Sequence, residues 1–122
     1  MTWVHLIDVS QVQANIDAEA AVRAGIVGAV VKISEGARYL DPLRAAHLKI
    51  FRAAGMLTGA YHFARPSGSA QDARDQFDRF WEGLGDQMPA LPFVIDLETK
   101  GGLAGSAVCE WACAWVERSL QA

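Results

Sequence analysis

The sequence predicts an α/β fold built from four successive strand–helix units with parallel strands, and three observations carry that expectation. Gly25, Gly55 and Gly85 fall thirty residues apart, and each closes an alanine-rich or amphipathic run. Short apolar runs follow the glycines, and they are nearly continuous in the way expected of strands covered by helices. The repeat length also suits a parallel strand–helix unit. A complete eight-unit barrel takes roughly 200 residues or more, and the chain has 122. Length alone therefore leaves two architectures, a small open sheet or about four of the eight units of a TIM-like barrel.

The first strand is expected over Val4–Val9, and Asp17 can cap the helix that ends near Gly25. Ala29–Ile33 is the second strand. Asp41-Pro42 then sets an N-cap before a proline at the first helical position, and Gly55 ends that helix. Leu57–Phe63 is the third strand. Ser69 with Asp72 has the spacing of a capping box, and the helix behind it puts Ala73, Phe77, Phe80, Trp81 and Leu84 on one face. Pro92–Leu97 is the fourth strand, followed by a helix with Val108, Trp111, Ala112 and Trp115 on its inner face. No linker or low-complexity tract interrupts the chain, so residues 1–122 read as one domain.

Composition narrows the function classes. Hydrophobic residues make up 52% and charged residues 20%, a globular balance. A net charge of −3 with scattered Lys and Arg gives no basic patch for nucleic acid or an anionic membrane. The opening Met1-Thr2-Trp3-Val4-His5 lacks a basic leader and a long apolar stretch, and nothing resembles a membrane span. Cys109 and Cys113 stand four apart in an apolar, helix-like segment. That spacing suits neither a disulfide nor a CxxC metal or redox pair, so both are expected to be small buried hydrophobes.

Reactive groups of parallel α/β folds gather at the C-terminal ends of the strands. Asp8 ends the first strand, while Asp96 and Glu98 end the fourth. Residues at i and i+2 on a strand share a face, so Asp96 and Glu98 point to the same side. Two carboxyls crowded in a partly apolar site cannot both charge freely, and one pKa should rise. A carboxyl that keeps its proton near neutral pH is the acid that glycosidic cleavage requires. A plain structural role at strand ends competes about evenly with that reading. The three carboxylates could instead hold magnesium, although no phosphate-cradling glycine loop accompanies them. His62 ends the third strand and is expected to be a satisfied structural histidine; His5 and His47 have weaker claims. No GxSxG elbow is present, which disfavours acyl transfer. Tyr39 and Tyr61 lie near strand ends, where sugar rings can stack, whereas Trp81, Trp111 and Trp115 have the spacing of core residues.

Several motifs in order resemble the glycoside hydrolase family 25 lysozymes. Asp8-Val9-Ser10 with Gln13 and Ile16-Asp17 is similar to the family's opening signature, and Lys32-Ile33-Ser34-Glu35-Gly36 with Tyr39 and Asp41-Pro42 to its second-strand motif. Gly59-Ala60-Tyr61-His62-Phe63 resembles the third, and Pro92-Phe93-Val94-Ile95-Asp96-Leu97-Glu98 the catalytic strand. The resemblance implies a half-barrel: the first four units of a TIM-like barrel. It also implies hydrolysis of the β-1,4 bond between N-acetylmuramic acid and N-acetylglucosamine in peptidoglycan, without a cofactor. By position Glu98 would be the general acid. Asp96 would orient or stabilise the reacting sugar, Asp8 would support the site electrostatically, and Glu35, Tyr39 and Tyr61 would line the groove. Such enzymes act on the bacterial wall after secretion or phage release. The chain departs from the family pattern at Ala14 and Ala18, where a glycine and a tryptophan are usual. It also stops before the strands that complete the family's barrel and supply a further acidic residue. Two readings follow: a muramidase shortened as a chain, or a non-hydrolytic wall-binding module keeping the first half of the fold. Open edges on the first and fourth strands would also invite pairing with a second copy.

Overall fold

The computed structural model describes residues 3–122. The strands are β1 (His5–Val9), β2 (Ile26–Glu35), β3 (Tyr39–Leu40), β4 (Leu57–Phe63) and β5 (Val94–Asp96); the helices are α1 (Ala18–Arg23), α2 (Arg44–Ala53), α3 (Ala70–Leu84) and α4 (Gly105–Ser119). The sheet runs β1-β2-β4-β5, all parallel, and curls into a half-barrel with β1 and β5 as its edges. β3 pairs antiparallel with the end of β2.

Alternation along the strands divides the sheet into two faces. Ala29, Val31 and Ile33 of β2 and Thr58, Ala60 and His62 of β4 are buried under the helices. The residues between them, Val30 and Lys32, Tyr61 and Phe63, face the concave side with Asp8 and Asp96 of the edge strands. A register shift between Lys32 and Ser34 interrupts this alternation. Ile33 and Ser34 are consequently both buried against the helices, and Glu35 returns to the side of Lys32. On a regular strand, residues three apart would face opposite ways.

The core lies between sheet and helices. Phe77 and Phe80 of α3 meet Trp115 of α4, with Phe77 edge-on to Trp115 at 5.2 Å, and Phe93 closes over Phe80 at 5.2 Å. Burying each such ring stabilises the fold by about 2–3 kcal/mol, before the edge-to-face preference is added. At the floor of the concave face, a β-carbon on Gly28 would sit 2.7 Å from Leu6 Cδ2, so the Leu6 side chain lies over residue 28 in the space that a side chain there would take.

Several local expectations need correction. β2 runs longer than Ala29–Ile33, and β5 keeps only the centre of Pro92–Leu97. Pro92 cannot donate to a ladder, and β5 pairs on one side only. Asp41 does not cap α2 directly. It is buried, its Oδ1 accepts from Leu43 N and its Oδ2 from Gln11 N, and its carbonyl accepts from Arg44 N. The resulting turn delays the helix to Arg44. Ser69 caps α3 by accepting from Asp72 N, but the Asp72 carboxylate turns inward instead of completing the box. Trp81 remains 40% exposed, stacked on Phe77 at the rim of the core. The expectation of buried cysteines fails: Cys109 and Cys113 are free and exposed, because the inner stripe of α4 belongs to Val108, Trp111 and Trp115. A one-residue offset from Val108 turns both thiols outward.

Candidate active site

The C-terminal ends of β1, β4 and β5 surround an open cleft of about 390 Å³ lined by Asp8, Tyr61, Asp96 and Glu98, with Val30 and Val94 beneath them. Strand register brings these groups together. Asp8 lies beside Val30, Tyr61 beside Val94, and Asp96 beside Phe63. The main chain then ties the last two strands beyond their ladder, since Ala64 N donates to the Asp96 carbonyl at 2.9 Å.

Electrostatics single out Asp96. Partial burial, a hydrogen bond with Glu98, and the negative charges of Glu98 and Asp8 push its pKa up from 3.8 to about 6, against a weaker opposing pull from Lys32. The elevated carboxyl expected from the sequence is thus present, and it falls on Asp96. Asp96 therefore keeps its proton up to about pH 6. Burial, followed by the charges of Asp8 and Asp96, raises the Tyr61 hydroxyl above its ordinary value. Tyr61 is a neutral donor among carboxylates throughout the physiological range.

Glu35 and Tyr39 lie in an adjoining cluster beyond the cleft. The Glu35 carboxylate takes Lys32 Nζ on one oxygen at 2.6 Å and Arg65 Nη2 on the other at 2.7 Å. Burial disfavours its charge, yet hydrogen bonds from Lys32 and Arg65 outweigh that and hold its pKa below the ordinary range. Lys32 Nζ lies over the rings of Tyr39 and Phe63, at 5.4 and 5.3 Å. Lys32 also pairs in register with Tyr61 and so links cluster and cleft. Arg65 escaped the sequence reading, although its place two residues beyond a strand-ending Phe was a usable signal.

His62 is the satisfied structural histidine. It is fully buried, with Nδ1 2.7 Å from Ser34 Oγ and Nε2 2.9 Å from Gln76 Oε1. Burial lowers its pKa to about 4. His47 is buried with Nε2 3.2 Å from the Gln13 carbonyl, and His5 is exposed. Among the described residues no group of three or more His, Cys, Asp or Glu is arranged to hold a metal ion, and no helix is long and apolar enough to cross a membrane.

The sequence profile of Glycosyl hydrolases family 25 matches residues 7–122. The chain belongs to that family. This family 25 chain is 38% identical over 93 residues to lysozyme M1 of Streptomyces globisporus, covering 75% of the chain and 32% of that protein. It is 32% identical over 117 residues to an N,O-diacetylmuramidase of Arthroderma benhamiae, covering 91% of the chain and 50% of that protein. Among solved structures, a family 25 lysozyme from Aspergillus fumigatus superposes with a TM-score of 0.82 at 30% identity, over 93% of the chain and 58% of that one. The bacterial lysozyme from Streptomyces coelicolor does so with a TM-score of 0.82 at 32% identity, over 96% and 57%. The chain thus spans between a third and a half of these curated relatives, and its four strands superpose on part of a longer fold.

Proposed function

We propose that this family 25 chain carries the acid–base half of a muramidase site, which hydrolyses the β-1,4 bond between N-acetylmuramic acid and N-acetylglucosamine in peptidoglycan. The observation that carries the reading is the Asp96–Glu98 pair. The two carboxyls are hydrogen-bonded to each other at the mouth of an open cleft, and Asp96 keeps its proton to about pH 6. Protonating the glycosidic oxygen requires such a group. In this reading Glu98, the more exposed of the two, donates to the leaving oxygen and is resupplied through its hydrogen bond with Asp96. Asp96 stabilises the positive charge that develops on the sugar, and Asp8 adds to the negative field. Tyr61 donates from the cleft wall, while Tyr39 and Glu35 form the neighbouring part of the groove. The names of the relatives, a lysozyme and an N,O-diacetylmuramidase, support the same chemistry. The site of action is the bacterial cell wall.

The test is release of reducing sugar from purified peptidoglycan, with Glu98→Gln as control. Release by the folded wild type, cut at least about 100-fold in the variant, supports the reading. A folded wild type that binds walls and releases nothing would overturn hydrolysis and leave a wall-binding module.

The partner proposed beside the glycan is a second copy of the chain. Each copy contributes four parallel strands with open edges at β1 and β5, and about eight such strands close a barrel of this type. Leu6, Leu57 and Val94 stand between 40% and 50% exposed on the concave side, where a facing half-barrel would cover them.

A further inference from the structure

Arg65 is held more firmly than an exposed arginine needs to be. Gln76, only 2% exposed on α3, grips its backbone from both sides: Arg65 N donates to Gln76 Oε1 at 3.2 Å, and Gln76 Nε2 donates to the Arg65 carbonyl at 2.8 Å. The same carboxamide is itself fixed. His62 Nε2 donates to Oε1, and Nε2 of Gln76 donates to Asp72 Oδ2 at 2.9 Å. Asp72 is anchored in turn by Ser67 Oγ and Trp111 Nε1, and His62 by Ser34 Oγ. This chain of buried and partly buried polar groups converges on the main chain of one residue, whose side chain leaves the core for the Lys32–Glu35 cluster that adjoins the cleft.

The guanidinium that emerges is 54% exposed and lies 4.9 Å from the centre of the Phe63 ring. Its aliphatic stem rests against Gly36, where a β-carbon would come within 3.4 Å of Arg65 Cγ. Nε and Nη2 both donate to Glu35 Oε2, while Nη1 has no acceptor among the described residues. Glu35 balances one positive charge, and Lys32 and Arg65 supply two, so the cluster carries a net positive charge beside an acidic cleft. An exposed Arg–Glu pair contributes about 0–1 kcal/mol to stability, too little to account for a buried network dedicated to its placement.

We propose that Arg65 is a specificity-determining residue that receives an anionic group attached to the glycan beside the reacting sugar. In peptidoglycan those groups are the carboxylates of the peptide stem. A carboxylate in the plane of the guanidinium can take Nη1 without displacing Glu35, and Lys32 adds to the attraction from behind. The inference rests on the muramidase reading and adds to it a preference for acidic walls over neutral glycans.

The experiment measures pelleting of the full chain with insoluble peptidoglycan, before and after carbodiimide conversion of the stem carboxylates to amides. Insoluble chitin serves as the neutral control. Wild type should lose about tenfold in affinity on amidation. Arg65→Gln should match that weaker affinity on both wall preparations, show less salt dependence and leave chitin binding unchanged, while Arg65→Lys falls between. Equal wild-type affinity for native and amidated walls overturns the proposal, and this comparison needs no variant to fold. So does an Arg65→Gln chain that still discriminates between them. If the folded wild type pelleted with no wall at all, the muramidase reading itself would fail, and this inference with it.

Discussion

Asp96 gives the site a measurable signature in pH. Asp96 keeps its proton to about pH 6, and in the proposed reading Glu98 draws on it, so sugar release should fall about tenfold per pH unit above that value. A profile that keeps rising through neutrality would contradict an acid drawn from this pair. Stability supplies an independent check. The folded state binds more protons at Asp96 than the unfolded state does between pH 3.8 and about 6. The contribution is therefore complete below pH 3.8 and lost as pH rises through about 6. His62 acts in the opposite sense: lowered from 6.5 to about 4, it contributes fully above pH 6.5, and that contribution is lost as pH falls through about 4. Replacing Asp96 removes one slope and leaves the other. Asp96→Asn should gain on wild type as pH rises from about 4 to 6 and end about 1 kcal/mol more stable at neutrality, after allowance for partial exposure. Urea melts across that range decide it, and a difference independent of pH would refute the assignment. The carboxylates were legible in the sequence because a period of two and a strand end fix where such side chains point. The cradle of Arg65 was not, because it depends on the register shift at Ile33 and on the rotation of α3.

Elements are joined at the site by contacts that tolerate little change. Gln76 connects α3 to β4 and to the segment after it through three hydrogen bonds, and a fourth holds it to Asp72 within α3. Gln76→Leu strands the His62 Nε2–H, the Arg65 N–H and the Arg65 carbonyl, and it should destabilise the fold by about 3 kcal/mol in urea unfolding. A loss under about 1 kcal/mol would mean that water or a shifted side chain replaces the carboxamide. Gly101 joins the segment following β5 to the segment following β4. It has a φ of +61°, and a β-carbon there would overlap the Pro66 carbonyl. Gly101→Ala should therefore displace the loop leaving β5 and, in the proposed muramidase reading, reduce sugar release more than it lowers the melting temperature. Unchanged release would show that this loop does not position Glu98. Helix starts at Asp17 and Ser69 were readable from capping chemistry, as were the glycine stops. The start of α2 was not: Asp41 is committed to Gln11, thirty residues away in sequence. The β3 pairing is only two residues long and leaves no periodic trace.

At the scale of the whole molecule, the open half-barrel is the feature that the proposed pairing of two copies would close. A second copy joined at the edges should appear as a dimer in sedimentation and protect Leu6, Leu57 and Val94 from an apolar dye. A monomer that binds no dye would refute the pairing. The four strand–helix units were legible because their glycine stops repeat every thirty residues, and the half-barrel only through the family resemblance; the exposure of its concave floor depends on the full arrangement of strands. The order of those strands has a further consequence. Every parallel strand pairs with the parallel strand made just before it, β1 with β2, β2 with β4 and β4 with β5. Each new unit can therefore dock on an edge that already exists, and no pairing has to wait for a distant part of the chain. During translation, at about 5–20 residues per second, the sheet can grow at the rate of synthesis, with its newest strand always the one facing the ribosome.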